Sequence, residues 1–438
     1  MARALGHPCN LDSGDSSPPL VLVPTLQRVN QFCPAPAGLG RRSAAICIPT
    51  LERGNENNNY MPKINIVNSL AEIEASQWNS LAGDYPFLRH EFLAAAQQSG
   101  CVSAETGWEP LYLTLSHGKT LAGAMPLYLK SHSRGEFVFD HAWADAFERH
   151  GLAYYPKLLC AAPFTPVTGP RLLANTHEDR RTLAEAAIAL ARRLRVSSLH
   201  ILFPQTSDLA VLRELGFMLR EGLQFHWHDA GYKTFDGFLS ALNHDKRKKI
   251  RQERRHAHEA GISFLWLKGG EIQDRQLEFF YRCYVNTYHE HWSSPYLNLE
   301  FFQRIVQSMP NRLLWIFAVR GDEPVACAMN VIGDNVLFGR YWGAKQFVSG
   351  LHFETCYSQA VEYCIQHGIR RFEGGAQGTH KMARGLLPTA TWSAHWIANS
   401  QFSDAIKDFL DDEKLSVEHY MEELNNHSPF KKNSVFNI

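Results

Sequence analysis

The densest polar run in the chain is Glu373-Gly374-Gly375-Ala376-Gln377-Gly378-Thr379-His380-Lys381-Met382-Ala383-Arg384. It gathers a carboxylate, an amide, an imidazole and two cations in one stretch. The glycines let the backbone bend tightly and approach a bound molecule. Glu373 could act as a general base. His380 is the rival, because an imidazole titrates near pH 6.5. Gln377 lies between them. Lys381 and Arg384 share a face if the segment is helical, and there they could bind a phosphate or a carboxylate. The competing reading is a Gly-rich turn whose Glu and Arg pair only to hold the fold.

Three further clusters carry candidates. In Gly339-Arg340-Tyr341-Trp342-Gly343, Arg340 could meet an anion and Trp342 could stack on a ring; the alternative is an aromatic core strand. Leu351-His352-Phe353-Glu354 opens a helix, where Glu354 suits the helix dipole and His352 faces whatever binds there. A polar-aromatic stretch runs from Asp140 through Trp143 and Lys157 to Arg171. Long segments of this kind are often binding loops, so Asp140, Trp143, Lys157 and Arg171 are candidates for holding an acceptor molecule. The alternative is a structured lid that touches no ligand. Finally, Asn243–His256 holds seven Lys or Arg against two acids. Lys246, Lys248, Lys249 and Arg251 could meet a phosphate backbone; a solvated helix is the simpler reading. His226-Trp227-His228 and His289-Glu290-His291 offer paired imidazoles but no third or fourth ligand, so no metal is expected.

The chain that must position these groups has 438 residues, enough for two to four domains of about 100–200 residues each. Lys+Arg and Asp+Glu both number 44. The balance excludes a globally basic nucleic-acid coat and an acidic solvating protein, but not a local basic patch. No run of about 18 apolar residues occurs, so no membrane span is expected. Nine cysteines without a C-x-x-C pair suggest reduced thiols in a cytoplasmic protein rather than disulfides or zinc. Residues 1–60 show no amphipathic period and carry Ser/Pro and Asn runs. They are expected to be a disordered extension, or to precede a true start at Met61.

From residue 62 the pattern is mixed α/β. Helices are expected over Glu72–Leu81 and Arg89–Ser99, strands over Leu111–Leu115 and Leu121–Leu129, then a helix over Asp179–Arg195, a strand over Leu199–Phe203, a helix over Asp208–Leu215 and a strand over Phe217–Trp227. The order returns with helices Glu271–Tyr288 and Leu299–Met309, strands Leu313–Val319, Val325–Ile332 and Val336–Tyr341, helix Phe353–His367, and strands Ile369–Glu373 and Ala390–Ile397. Ala122-Gly-Ala-Met125 matches Ala326-Cys-Ala-Met329 at an offset of 204, and Ser198–Phe203 matches Arg370–Gly375 at 172. The first half therefore carries about 32 extra residues, between Phe139 and Arg171. A repeat this long means two copies of one domain rather than a solenoid.

This order resembles the Gcn5-related acyltransferase domain, and two copies in tandem resemble the FemABX peptidyltransferases. The strings Tyr154-Tyr-Pro-Lys157, Pro163-Phe-Thr-Pro-Val-Thr-Gly-Pro-Arg171, Gly339-Arg-Tyr-Trp342, Leu351-His-Phe-Glu354 and Phe372–Lys381 are most similar to the FemAB-like predicted N-acyltransferases. The resemblance implies an α/β (α+β) fold of two tandem domains, each a mixed, splayed sheet flanked by helices. They would cover 62–230, with an insertion at about 140–171, and 231–430, with the basic helix at 243–259. It also implies transfer of an acyl or aminoacyl group to an amine, in the cytoplasm and in peptidoglycan biosynthesis. Glu373 or His380 would take the amine proton. Arg340, Tyr341, Trp342, His352, Gln377, Lys381 and Arg384 would line the donor side. No tightly bound cofactor is implied; acyl-CoA or aminoacyl-tRNA would be the co-substrate, and a small molecule or peptide the acceptor. The loop Lys345–Gly350 has one glycine where acetyl-CoA users have two. A Fem-type aminoacyl-tRNA ligase, with tRNA on the basic helix, is thus one alternative. A binding protein that kept the fold without the chemistry is the other.

Overall fold

The computed structural model describes residues 62–376 and 378–431. The expectation for residues 1–60 and the assignment of Gln377 lie outside the described residues. The first half of the chain runs β1 (Lys63–Val67), α1 (Ala75–Ala82), α2 (His90–Gln98), β2 (Trp108–Pro110), β3 (Tyr112–His117), β4 (Thr120–Met125), β5 (Leu127–Lys130), α3 (His141–Arg149), β6 (Lys157–Cys160), β7 (Leu173–Ala174), α4 (His177–Leu194), β8 (Ser198–Leu202), α5 (Thr206–Glu214) and β9 (Met218–His228). The second runs α6 (Phe235–Ala241), α7 (His244–Glu259), β10 (Ile262–Lys268), α8 (Asp274–Glu290), α9 (Leu299–Ser308), β11 (Leu313–Arg320), β12 (Glu323–Ile332), β13 (Val336–Ala344), then α10 (Leu351–Phe353), a π-turn (Glu354–Ser358) and α11 (Gln359–His367). It closes with β14 (Arg371–Glu373), a 3₁₀ turn (Thr379–Arg384), β15 (Leu387–Ile397) and α12 (Ser400–Asn426).

Local chemistry accounts for these elements. In α4, Thr176 caps the first turn by accepting from Asp179 N, Glu178 and Asp179 face the positive end of the dipole, and Arg192 and Arg193 face the negative end. Leu183, Ala187, Leu190 and Ala191 recur at helical spacing and are buried. β11 is an almost unbroken apolar run, buried along nearly its whole length, as a central strand should be.

The strand expected over Leu121–Leu129 is two strands. Pro126 has no N–H to give a ladder and breaks it. β4 then pairs with β3 and β5 with β6. At the matching place in the second half stands Asn330, and there the β12–β13 register merely shifts, leaving Arg340 unpaired opposite Met329 and Asn330. The result is one sheet of four strands, β1-β3-β4-β7, and one of eleven, β10-β11-β12-β13-β14-β9-β15-β8-β6-β5-β2. In the larger sheet the last strand of each half is lent to the other. β9 pairs with β14, β15 pairs with β8, and β9 and β15 pair with each other along nine residues. The fold is mixed α/β, and its largest apolar core draws Leu70–Phe203 residues together with Leu277–Phe338 residues.

Candidate active site

β13 and β14 run parallel, and their register ends at Phe338 opposite Glu373. Beyond that point β13 still pairs with β12 but has no strand on its other edge, while the chain after Glu373 turns away through Gly374 and Gly375. A Cβ at Gly374 would come within 2.8 Å of Leu386 and 3.2 Å of the Tyr357 ring, so the close approach there requires glycine. Gly343 is required for the same reason, because a Cβ would lie 2.4 Å from the Cys283 backbone of α8.

Glu373 sits at the mouth of this splay and is 3% exposed. Arg371 Nε stands 3.1 Å from its Oε1, and His226 Nε2 is 3.8 Å from Oε2. Among the described residues Oε2 has no hydrogen-bond partner. Burial pushes the carboxyl up to about 7, and the charges of Arg371 and Arg340 offset only part of that. His226 is held near 3 by burial, hence neutral, with Nε2 3.3 Å from Gln224 Oε1. A carboxylate poised near neutrality, with one oxygen free, can take a proton at physiological pH.

The 3₁₀ turn Thr379–Arg384 puts Lys381 and Arg384 on one face. Lys381 is buried and donates to Gly375 O at 2.8 Å; burial lowers it to about 8. Arg384 is not free to receive an anion. It pairs with Glu253 of α7, donates to His380 O at 3.0 Å, and lies 3.6 Å over the Phe353 ring. His380 is exposed and turns to Tyr357, its Nε2 3.3 Å from the hydroxyl. Burial lowers His352 to about 4, and its ring packs edge-on against Trp342 at 5.2 Å and Tyr357 at 5.7 Å. Tyr341 packs in an aromatic group with Tyr284 and Phe302. Arg340 donates to Phe164 O at 2.8 Å and lies over Phe87. Its guanidinium therefore braces the two halves of the chain together.

The residues expected to hold an acceptor are built into the core. Lys157 is fully buried, paired with Glu136 at 2.7 Å and with Asp140, and donates to Ser133 Oγ at 2.7 Å. Tyr154 donates to the same Asp140 oxygen at 2.6 Å. Trp143 is buried against His395 at 4.9 Å. Arg171 is fully buried, with its guanidinium on the carbonyls of Leu202, Pro170 and Val167. The segment around them folds as α3 and β6 rather than as an open loop.

The segment Pro163–Arg171 has a positioning role instead. Its carbonyls accept from Arg340 (Phe164 O), Gln224 (Pro166 O, 2.8 Å) and Tyr85 (Val167 O, 3.1 Å). Gly169 leaves room for the Tyr85 ring, which a Cβ would meet at 2.2 Å. The same segment closes the first-half counterpart of the splay. β6 and β8 pair in the same register as β13 and β14, ending at Cys160 opposite Ile201, and Gly169 then bridges to Pro204. Ile201 stands where Glu373 stands. At this position the second-half strand carries a carboxylate and the first-half strand does not.

Sequence reasoning missed Tyr85, Gln224 and Arg371. Arg371 alternates onto the Glu373 face of a strand, so the period-2 rule could have found it. His226 was noted as half of a histidine pair; the β9–β14 register sets it opposite Glu373. No local signal places Tyr85 within reach of the charge of Glu373, so far along the chain.

In α7, Ile250, Glu253 and Ala257 face inward, and Lys248, Lys249, Arg251 and Arg255 are exposed, with Lys246 half-buried. Asn243 caps the helix. Arg254 donates to Glu354 at 2.9 Å and pairs with Glu362. The helix lies on the N-terminus of α10. A Cβ at Gly350, the residue before α10, would be 3.1 Å from Glu253 Cα. The place where that helix end could receive a pyrophosphate is thus crowded by the α7 backbone at Glu253. Among the described residues no helix is long and apolar enough to cross a membrane.

A splayed parallel strand pair with a buried carboxylate at its mouth narrows the comparison with known proteins. A family model described as FemAB-like, peptidoglycan biosynthesis/recognition, matches residues 69–432. No curated protein matches. Among solved structures, FemX is 12% identical, with a TM-score of 0.49 over 76% of this chain and 98% of its own. A tandem GNAT protein from the clavulanic acid biosynthesis pathway is 11% identical, with a TM-score of 0.43 over 77% and 99%. The C-terminal domain of a putative lysylphosphatidylglycerol synthetase from Agrobacterium fabrum is 9% identical, with a TM-score of 0.49 over 78% and 96%. The family match spans both halves and every element that builds the splay, and on that span the chain belongs to the FemAB-like family.

Proposed function

We propose that this protein is an N-acyltransferase that moves an acyl or aminoacyl group from an activated ester or thioester onto an amine, with Glu373 as the general base. The observation that carries the reading is the free Oε2 of a carboxyl that is 3% exposed and pushed up to about 7, at the end of a splayed strand pair. An aliphatic amine is largely protonated at pH 7. It must give up a proton before or as its nitrogen attacks the acyl carbon. The ammonium first loses one proton to solvent; as the N–C bond forms and the bond from the acyl carbon to the leaving oxygen or sulfur breaks, the second proton is taken by Glu373 and passes on to the leaving group. The unpartnered edge of β13 beyond Phe338 can supply N–H groups to the developing oxyanion, and the Lys381 ammonium adds positive charge beside it. Holding both reactants in the gap supplies much of the remaining acceleration.

The aminoacyl-tRNA donor is favoured over acyl-CoA by α7. Glu253 approaches the α10 N-terminus that a pyrophosphate would need, while Lys248, Lys249 and Arg251 present an exposed basic face next to it. The test is transfer to an amine, followed by the mass of the product, with each donor offered in turn. Glu373→Gln keeps the shape and removes the basicity; turnover should fall at least about tenfold, a general base usually being worth about 10²–10⁴-fold. His380→Asn should cost less. Unchanged turnover in Glu373→Gln overturns the assignment.

A further inference from the structure

A cavity of about 490 Å³ lies between the segment Phe137–Phe139 and strands β9 and β15. Ala376, just after the Glu373 turn, forms part of its wall, and so does Gln224. Gln224 Oε1 is 3.3 Å from His226 Nε2, which is 3.8 Å from the free Oε2 of Glu373. The cavity thus lies beside the carboxylate, with Gln224 and His226 between the two and Ala376 at the nearer wall.

Its floor is opened by Gly222. A glycine inside an eleven-residue strand weakens the strand and often marks close approach of a ligand. A Cβ at 222 would be 3.1 Å from Thr391 Oγ1, which can rotate, so no backbone contact demands glycine. The facing wall is aromatic: Phe137, Phe139 and Phe203. Phe137 and Phe203 are held at φ 63° and 54°, a left-handed backbone that bulky residues rarely adopt and that tends to be retained at binding sites.

Apart from the Thr391 hydroxyl, the side-chain polar groups that face the cavity are already engaged. Arg220 makes two contacts of 2.7 Å with Glu413 and donates to Phe139 O at 2.7 Å. Gln224 Nε2 donates to Pro166 O, and Ser393 Oγ lies 2.8 Å from His395 Nε2. Glu221 alternates to the opposite face of β9 from Arg220 and Gly222. An occupant with a charge on the part that enters the cavity would lose its water without finding a free charged partner, whereas an apolar body gains by leaving water.

From this geometry we infer that the cavity is the acceptor subsite, and that it takes an amine whose body is an uncharged aromatic ring or a short branched alkyl group, placing the nitrogen toward Glu373. The inference rests on the reading of Glu373 as the base. Its test is a calorimetric titration of the full chain with 2-phenylethylamine and with ethanolamine. The aromatic amine should bind at least about tenfold more tightly, as burial of roughly 100 Å² of apolar surface allows. Gly222→Leu, which fills the floor, should weaken 2-phenylethylamine at least about tenfold and leave ethanolamine unchanged. Phe139→Asp, at a rim residue that is 55% exposed, should weaken it as well without disturbing the fold. Equal affinity for the two amines, or unchanged 2-phenylethylamine affinity in both variants, overturns the subsite. Binding and turnover separate the two claims. If the cavity behaves as expected while Glu373→Gln keeps its turnover, the base is wrong and the subsite stands. If turnover collapses but the two amines bind alike, the base stands and the subsite falls.

Discussion

Glu373 loses its water on folding and receives in return Arg371, the charge of Arg340 and a neutral imidazole. The folded fold therefore favours its neutral form, raising the group from 4.5 to about 7. For a raised carboxyl the stability contribution is fully present below about pH 4.5 and is lost as pH rises through about 7. Glu373→Gln removes that loss. Its stability relative to the parent should rise between pH 5 and pH 8 by up to about 3 kcal/mol, measured by urea melts at both values. A parent that gains on the variant as pH rises would mean that Arg371 dominates. In turnover the same group should produce an ascending limb of kcat/KM centred near pH 7. Arg384 poses the opposite case. Its guanidinium is 3% exposed and pairs with Glu253. Arg384→Leu leaves a buried carboxylate alone and should cost about 3–5 kcal/mol in a chemical melt, whatever it does to binding.

At the scale of elements, α7 has two jobs that its composition does not separate. Its inner face carries Ile250, Glu253 and Ala257 and meets α10 and the 3₁₀ turn beside the site. Its outer face carries Lys248, Lys249 and Arg251. If the outer face meets tRNA, affinity should fall steeply as salt rises, and reversing these three charges should abolish it with little change in melting temperature. Weak binding that ignores salt would leave a solvated helix. Arg251 already has a partner, Asp236 at 3.4 Å, but the pair is exposed and worth at most about 1 kcal/mol, so it would yield readily to a phosphate.

The whole molecule is tied together by strand exchange. β9 finds its partners in β14 and β15, and β15 enters the sheet between β8 and β9. Residues 62–230 expressed alone would leave β8 and β9 with bare edges and would expose half of a shared core. We expect that piece to be insoluble or to melt without a cooperative transition, and the two halves expressed together to recover it. A sharp melt of 62–230 by itself would show that each half folds independently.

The sequence by itself determined many of the elements and their order, though not α3, β6, β10 or α12, because local periodicity and caps act over a few residues and are written in the chain: the apolar run of β11, the capped α4, the amphipathic α8, the offsets of 204 and 172. It also pointed to Glu373, since a carboxylate before three glycines is a local pattern. It did not show that Asp140, Trp143, Lys157 and Arg171 are buried, because their residue types look equally suited to a binding loop and to a buried network. Which of the two obtains depends on what packs over them, here β8, β15 and α3. Even the break of the β4–β5 strand was local, at Pro126, and was overlooked in favour of the longer apolar run. Tertiary structure alone decided that Ile201 takes the place of Glu373 in the first half, that Pro163–Arg171 plugs that half's splay and braces the other, and that Tyr85, Gln224 and His226 surround the remaining opening. These are contacts between residues far apart in the chain, set by strand exchange and register. A one-residue register shift would turn each of these strand residues to the other face of the sheet.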